Sequence, residues 1–149
     1  MRKTLVVLLV GIVFFFGVNS AIAEWSPLPA DLNIVKPGED VPPEIAAFSG
    51  LWAGTWKNPP GSRMGDKPPN VQVAVERIHP PLVIVTYSWG ANRVSPGGYV
   101  RRKGQIDGNC IVFQPSSGAT VKLVMVGGEI HATWVGSGPP LTAILYRER

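Results

Sequence analysis

The chain contains 149 residues, of which 45% are apolar and 16% are charged. This length suits one domain of ordinary size, and this composition excludes a disordered chain and a coiled coil. The net charge of +4 includes Arg2 and Lys3 at the extreme N-terminus, so it gives no reason to expect nucleic acid as a partner. The lone cysteine, Cys110, excludes an internal disulfide and a cysteine-based zinc cluster, and we expect it to be buried within a strand.

Residues 1–23 have the three-part layout of a secretory signal peptide. Arg2 and Lys3 supply positive charge, residues 5–18 are almost wholly apolar, and Ala21 and Ala23 give a small-x-small cleavage pattern. The apolar core is shorter than the roughly 20 residues that a membrane span needs. The sequence therefore predicts cleavage after Ala23, export to the periplasm or the extracellular space, and no stable membrane insertion. An uncleaved N-terminal anchor is the alternative.

Residues 24–47 are rich in proline and show little periodicity. This composition predicts an extended strap or a loose linker rather than a domain. Near its end, Pro42, Pro43 and Glu44 favour one helical turn, because proline suits the first turn and a carboxylate suits the positive end of a helix.

From residue 48 onward, short runs rich in β-branched and aromatic residues alternate with clusters of glycine and proline. A Pro-Pro pair removes ladder donors and therefore marks a strand boundary. Asp107-Gly108 and Gly127-Gly128 favour the positive φ angles of tight hairpin turns. These signals predict strands at 51–57, 71–78, 82–89, 99–106, 110–114, 119–126, 129–135 and 141–147.

Alternation within these strands predicts one packed face; in the sixth strand, Val121, Leu123 and Met125 share a side of the sheet. A meander of eight strands exposes two edges unless it closes on itself. We therefore predict an all-β fold over residues 48–149, an eight-stranded antiparallel up-and-down meander barrel. A two-sheet sandwich is the alternative.

Gly-x-Trp occurs twice on the first strand, at Gly50–Trp52 and at Gly54–Trp56, and the last strand ends at Arg147. This arrangement resembles the lipocalin and avidin-like barrels of the calycin group, and most of all the compact lipocalin-like domains of bacterial exported proteins. The resemblance implies that Trp52 or Trp56 closes one barrel end while Arg147 packs across its indole, a contact worth about 0.5–2 kcal/mol. The chain departs from lipocalins because it lacks the long helix before the closing arginine, and no biotin site can be mapped onto it.

Few residues are suited to catalysis. His79 lies at a predicted turn, and His131 shares a polar strand face with Glu129. Nucleophilic catalysis needs a nucleophile, a base and an orienting group, and no nucleophile elbow or phosphate-binding loop is present in the sequence. Glu129 and His131 are two possible metal ligands, whereas a protein metal site needs at least a third. We therefore predict a protein that is not an enzyme and has no metal or cofactor.

Aromatic residues carry the strongest binding signal, with five tryptophans and three tyrosines in the chain. Aromatic side chains at a barrel mouth can stack on sugars, lipids or flat rings, although filling of the core is the other interpretation. We expect Tyr87, Trp89 and Trp134 to line any ligand site.

Arg102 is the expected polar anchor of that site. If Val100 and Ile106 face the core, Arg102 faces it too, because alternate residues share a side of the strand. A buried cation needs a partner, which could be an internal carboxylate or the acidic head of a ligand such as a fatty acid. An exterior arginine is the alternative.

Two functions remain open at this point. The leading one is an exported binding module for an apolar or amphiphilic small molecule, present as a monomer or weak dimer. The alternative is an accessory or protein-interaction domain of the cell envelope, with a filled barrel and no ligand. A cavity at one barrel end would favour the first.

Overall fold

A computed structural model describes residues 26–59, 68–92 and 95–149. The predicted signal peptide lies outside these residues. The elements are α1 (Pro43–Ala46), β1 (Gly50–Thr55), β2 (Asn70–His79), β3 (Leu82–Trp89), β4 (Gly98–Asp107), β5 (Cys110–Phe113), β6 (Thr120–Val126), β7 (Glu129–Val135) and β8 (Leu141–Arg147).

The eight strands form one closed barrel in sequence order, and every neighbouring pair is antiparallel. β8 closes the sheet onto β1, where Trp52 pairs with Arg147 and Gly54 pairs with Leu145. The predicted meander barrel is therefore confirmed, and the sandwich alternative is wrong. Closure removes the two free edges that an open meander would leave.

The barrel interior is filled over most of its length. Side chains of alternate residues point inward, so Val71, Val73 and Val75 of β2 are fully buried beside Val85 of β3. The segment before β1 adds Val41, Ile45 and Phe48 to the same core. Cys110 at the start of β5 is also buried.

Glycines make the tight hairpins that the sequence predicts. Gly108 between β4 and β5 has a φ of 59°, and Gly127 and Gly128 between β6 and β7 have φ values of 58° and 87°. These positive angles favour glycine because it has no Cβ. A bulge interrupts the β2–β3 register between Val75 and Arg77.

The described part of the predicted strap, residues 26–42, packs on the outer face of β2, β3 and β4. Ser88 Oγ donates a hydrogen bond to the Pro27 carbonyl, and the Val35 amide donates to the Glu76 carbonyl at 2.8 Å. The strap therefore covers a polar face of the sheet. The buried side chains of that face are Gln72, Glu76, Thr86 and Ser88.

Among the described residues, no helix has the length and apolar character needed to cross a membrane.

Candidate functional site: an aromatic cavity at one barrel end

The two ends of the barrel differ in structure. The odd-numbered strands start at one end, which we call the closed end, and the even-numbered strands start at the other, which we call the open end. The closed end carries α1 and the buried Phe48. The open end carries a cavity.

Trp52 and Arg147 meet at the closed end. The Arg147 guanidinium carbon lies 4.3 Å from the Trp52 ring centroid, and Trp52 Nε1 donates to the Phe48 carbonyl at 2.8 Å. Arg147 also donates to the carbonyls of Ser49 at 2.6 Å and Ala47 at 2.7 Å. One guanidinium thus joins the last strand to the segment that leads into the first.

Two glycines permit this close packing. Gly50 has a φ of 134°, and a Cβ there would lie 2.3 Å from Arg147 Nη1. A Cβ on Gly54 would lie 2.3 Å from the Ile144 carbonyl oxygen. Both contacts are too short for real atoms. A larger residue at Gly50 would displace the Arg147 guanidinium, and one at Gly54 would press against the backbone of β8.

Trp56 does not belong to the closed end, and its assignment as a possible closing residue is corrected. It lies four residues beyond Trp52, which is about 13 Å further along an extended strand. Its indole therefore reaches the opposite end of the barrel, where Nε1 donates to the Tyr87 hydroxyl at 3.2 Å.

The open-end cavity has a volume of about 280 Å³. This volume lies just below the lower limit of about 300 Å³ for ordinary small-molecule pockets. The cavity therefore suits a small ligand of a few fused or linked rings. Its apolar walls are formed by Trp56, Pro69, Tyr87, Trp89, Pro115, Trp134 and Leu141.

The aromatic walls are held in place by one another. The Tyr87 and Trp89 rings stack with centroids 5.8 Å apart and an interplanar angle of 28°. Phe113 packs on Tyr87 at 5.9 Å from within the core, and Trp89 Nε1 donates to the Pro96 carbonyl at 3.0 Å. These contacts fix the rings before any ligand arrives.

Two glycines leave room for the indoles of Trp89 and Trp134 at the open end of the barrel. A Cβ on Gly98, the residue paired with Trp89, would lie 2.9 Å from that indole. A Cβ on Gly136 would lie 2.2 Å from the Trp134 ring. Each indole therefore lies flat over a position without a side chain.

Burial raises the pKa of Tyr87 to about 12, although the hydrogen bond from Trp56 opposes part of this rise. The phenol is therefore protonated, and able to donate a hydrogen bond, across the physiological range.

The structure brings together three of the four predicted ligand-binding residues, Tyr87, Trp89 and Trp134, and leaves Arg102 apart from them. Arg102 has the expected phase, since it pairs with the inward-facing Val85. However, β5 is only four residues long and pairs with residues 104–107 of β4. Arg102 lies beyond the end of β5 and is exposed, and its Nη1 donates to the Arg101 carbonyl. The expectation of a buried cationic anchor is therefore corrected.

Arg101 makes the ion pairs that sequence reasoning missed. Its Nε lies 2.9 Å from Glu76 Oε1, and its Nη1 lies 3.0 Å from Asp31 Oδ2 in the strap. The hydrogen bond and the charge of Arg101 lower the pKa of Asp31. Asp31 and Arg101 are 70 positions apart, so no local pattern in the sequence links them.

The two histidines form no evident reactive centre. His131 lies 3.9 Å from Glu129 on the outside of β7, and both side chains are more than a third exposed. His79 is exposed at the end of β2. Within the described part of the chain, no three histidine, cysteine, aspartate or glutamate residues are grouped so that they could hold a metal ion.

Comparison of the sequence with protein-family models and with curated proteins finds no match.

Proposed function

We propose that the protein is an exported barrel that binds a small, uncharged, largely apolar molecule in its open-end cavity. The observation that carries this proposal is the convergence of Trp56, Tyr87, Trp89 and Trp134 on one cavity. Aromatic rings that are already fixed in place bind flat or apolar ligands with little loss of side-chain entropy.

The described residues of the cavity wall favour a different ligand from the acidic amphiphile that the sequence suggested. The polar residues of the described wall are Asn92, Ser95 and Ser116, besides the aromatic hydroxyl and indole groups. None of these is charged, and Arg102 lies elsewhere. An ionised head group would lose its water here without gaining a counter-charge from the residues of the wall that the structure describes. We therefore favour a neutral ligand over a fatty acid.

The closed end supports the resemblance to lipocalin-like barrels. The Trp52–Arg147 contact is the arrangement that the resemblance implies, and it lies at the end opposite the cavity. A barrel closed at one end and open at the other is suited to hold a ligand at its mouth.

The first experiment uses N-phenyl-1-naphthylamine, a neutral aromatic probe whose fluorescence rises in apolar surroundings. We expect saturable binding to the wild-type protein. Trp134→Ala should weaken that binding about tenfold, because it removes one stacking wall. Tyr146→Ala is the matched control, since Tyr146 is an aromatic residue of β8 that is 56% exposed, and it should leave the affinity unchanged.

The second candidate function is that of an accessory domain of the cell envelope that binds no small molecule. The filled interior favours it, because Trp52, Leu123, Ile130 and Leu145 are all almost completely buried and leave the cavity confined to the mouth. Absence of saturable probe binding, or equal binding by the Trp134→Ala variant, would favour this second function.

A further inference from the structure

Tyr87 contributes a buried hydroxyl group to the wall of the open-end cavity. It is 6% exposed and lines the open-end cavity. Its hydroxyl oxygen accepts a hydrogen bond from Trp56 Nε1, and Trp56 lines the same cavity. The Tyr87 hydroxyl therefore contacts Trp56 within the wall of the cavity.

The hydroxyl proton of Tyr87 remains available. A phenol both accepts and donates, and the accepting side is used by Trp56. Within residues 26–59, 68–92 and 95–149, no group accepts a hydrogen bond from this hydroxyl. A ligand atom in the cavity can therefore accept this proton.

The position of the donor is fixed on both sides. Trp89 stacks on one side of the Tyr87 ring and Phe113 packs against it from the core. Trp56 Nε1 holds the oxygen itself. The donor therefore selects a ligand atom at a defined place on the wall.

We propose, resting on the binding function above, that the ligand is a neutral planar molecule with a carbonyl oxygen and that the Tyr87 hydroxyl donates a hydrogen bond to that oxygen. A carboxylate would also accept this bond, but the described residues of the wall give it no counter-charge. A hydrocarbon of the same shape would leave the donor unpaired. The high pKa of Tyr87 keeps the donor protonated at neutral pH.

The test compares fluorenone with fluorene, two planar compounds of nearly the same shape that differ in a carbonyl group. Calorimetric titration gives the dissociation constant of each, and the preference for fluorenone is their ratio. Tyr87→Phe should lower that preference about 3- to 10-fold, the equivalent of one hydrogen bond. Tyr146→Phe is the matched control, because it removes the same hydroxyl from an exposed tyrosine of β8 that does not line the cavity, and it should change the preference by less than about twofold. Ser116→Ala is the competing variant, because it removes a different hydroxyl of the wall.

A spectroscopic measurement on the wild-type protein covers the case in which Tyr87→Phe fails to fold after Trp56 loses its acceptor. The carbonyl stretching band of bound fluorenone should lie at a lower wavenumber than the band in hexane, because a hydrogen bond weakens the C=O bond. A band at the hexane position would overturn the proposal.

The outcomes separate this proposal from the binding function on which it rests. If both compounds bind and the preference is the same in wild type and Tyr87→Phe, the donor role is wrong while the binding function stands. A loss of preference in Ser116→Ala instead would assign the donor to Ser116 and overturn the role of Tyr87. If neither compound nor N-phenyl-1-naphthylamine binds, both proposals fail.

Discussion

The contacts of individual side chains explain why the two barrel ends differ. At the closed end, Arg147 stacks on Trp52 and bonds two backbone carbonyls, so the indole is covered on the side that would otherwise face solvent. At the open end, Trp89 and Trp134 lie over Gly98 and Gly136, and nothing equivalent to Arg147 covers them among the described residues. One end is thus sealed by a cation–aromatic contact, and the other presents aromatic surface.

Replacing Trp52 tests the seal. Trp52→Ala should lower the free energy of unfolding by about 3–5 kcal/mol, the usual cost of deleting a buried large aromatic side chain. Arg147→Lys should cost less, about 1–2 kcal/mol, because lysine keeps the charge but loses the flat stacking surface and the paired donors. Urea unfolding measures both. A Trp52→Ala loss below about 1 kcal/mol would contradict a structural role for this pair.

Because the pKa of Tyr87 is raised in the folded protein, the free energy of unfolding should fall as the pH becomes alkaline. The group has a pKa of about 12 in the folded protein against 10.0 as the ordinary value, so its contribution is complete below pH 10 and is lost as pH rises toward 12. That contribution amounts to at most about 2–3 kcal/mol. Urea unfolding at a series of pH values between about 9 and 11.5 measures this effect. The free energy of unfolding should fall more steeply with pH in the wild type than in Tyr87→Phe. Parallel curves would show that burial of Tyr87 does not oppose its ionisation.

At the scale of elements, the strap packs against the outer face of the barrel at β2, β3 and β4. The strap supplies Asp31 and the Pro27 carbonyl, and the outer face of β2–β4 supplies Glu76, Arg101 and Ser88. Glu76 is 5% exposed, so its carboxylate depends on Arg101 and Thr86 for partners. The polar outer face is stable because the strap covers it and Arg101 neutralises it.

Adjacent arginines on β4 provide a matched pair of variants for this layer. Arg101→Met should lower the free energy of unfolding more than Arg102→Met does, because it removes a charged hydrogen bond from the buried Glu76. Arg102→Met should change it by no more than about 0.5 kcal/mol, since Arg102 is exposed and bonds one backbone carbonyl. Thermal unfolding followed by circular dichroism compares the two. A larger loss in Arg102→Met would contradict the assignment of the two faces of β4.

At the scale of the molecule, the barrel follows from patterns that the sequence displays directly. Pro-Pro pairs and glycine turns mark the strand boundaries, and period-two alternation marks the inner face, because both are local consequences of backbone geometry. The position of Arg102 could not be obtained in this way, since its exposure depends on where β5 ends. The docking of the strap depends on Asp31 and Arg101, which are far apart in sequence.

The sequence predicted three aromatic residues of the candidate site, but neither the position of Trp56 nor the role of the Tyr87 hydroxyl. Aromatic side chains with inward phase identified Tyr87, Trp89 and Trp134, because alternation places them on the core face. The sequence left Trp52 and Trp56 as alternatives for the closing residue, because Gly-x-Trp occurs twice on one strand, and only the closed barrel shows that Trp52 meets Arg147. The availability of the Tyr87 donor depends on Trp56, 31 residues away, and has no signature in the sequence.

Export concerns the whole chain and remains a prediction. The intact mass of the protein from the periplasmic or secreted fraction should correspond to a chain beginning at Glu24, because the small residues at Ala21 and Ala23 suit a signal peptidase. A membrane-bound chain that retains Met1 would contradict cleavage.

The most direct test of the central claim follows the indole N–H signals of the tryptophans by ¹⁵N–¹H nuclear magnetic resonance while N-phenyl-1-naphthylamine is added. Trp56, Trp89 and Trp134 line the open-end cavity, and Trp52 lies at the closed end. We predict that the signals of the first three shift together and saturate, while that of Trp52 stays in place. Unchanged signals, or a shift of Trp52 without the other three, would contradict binding at the open end.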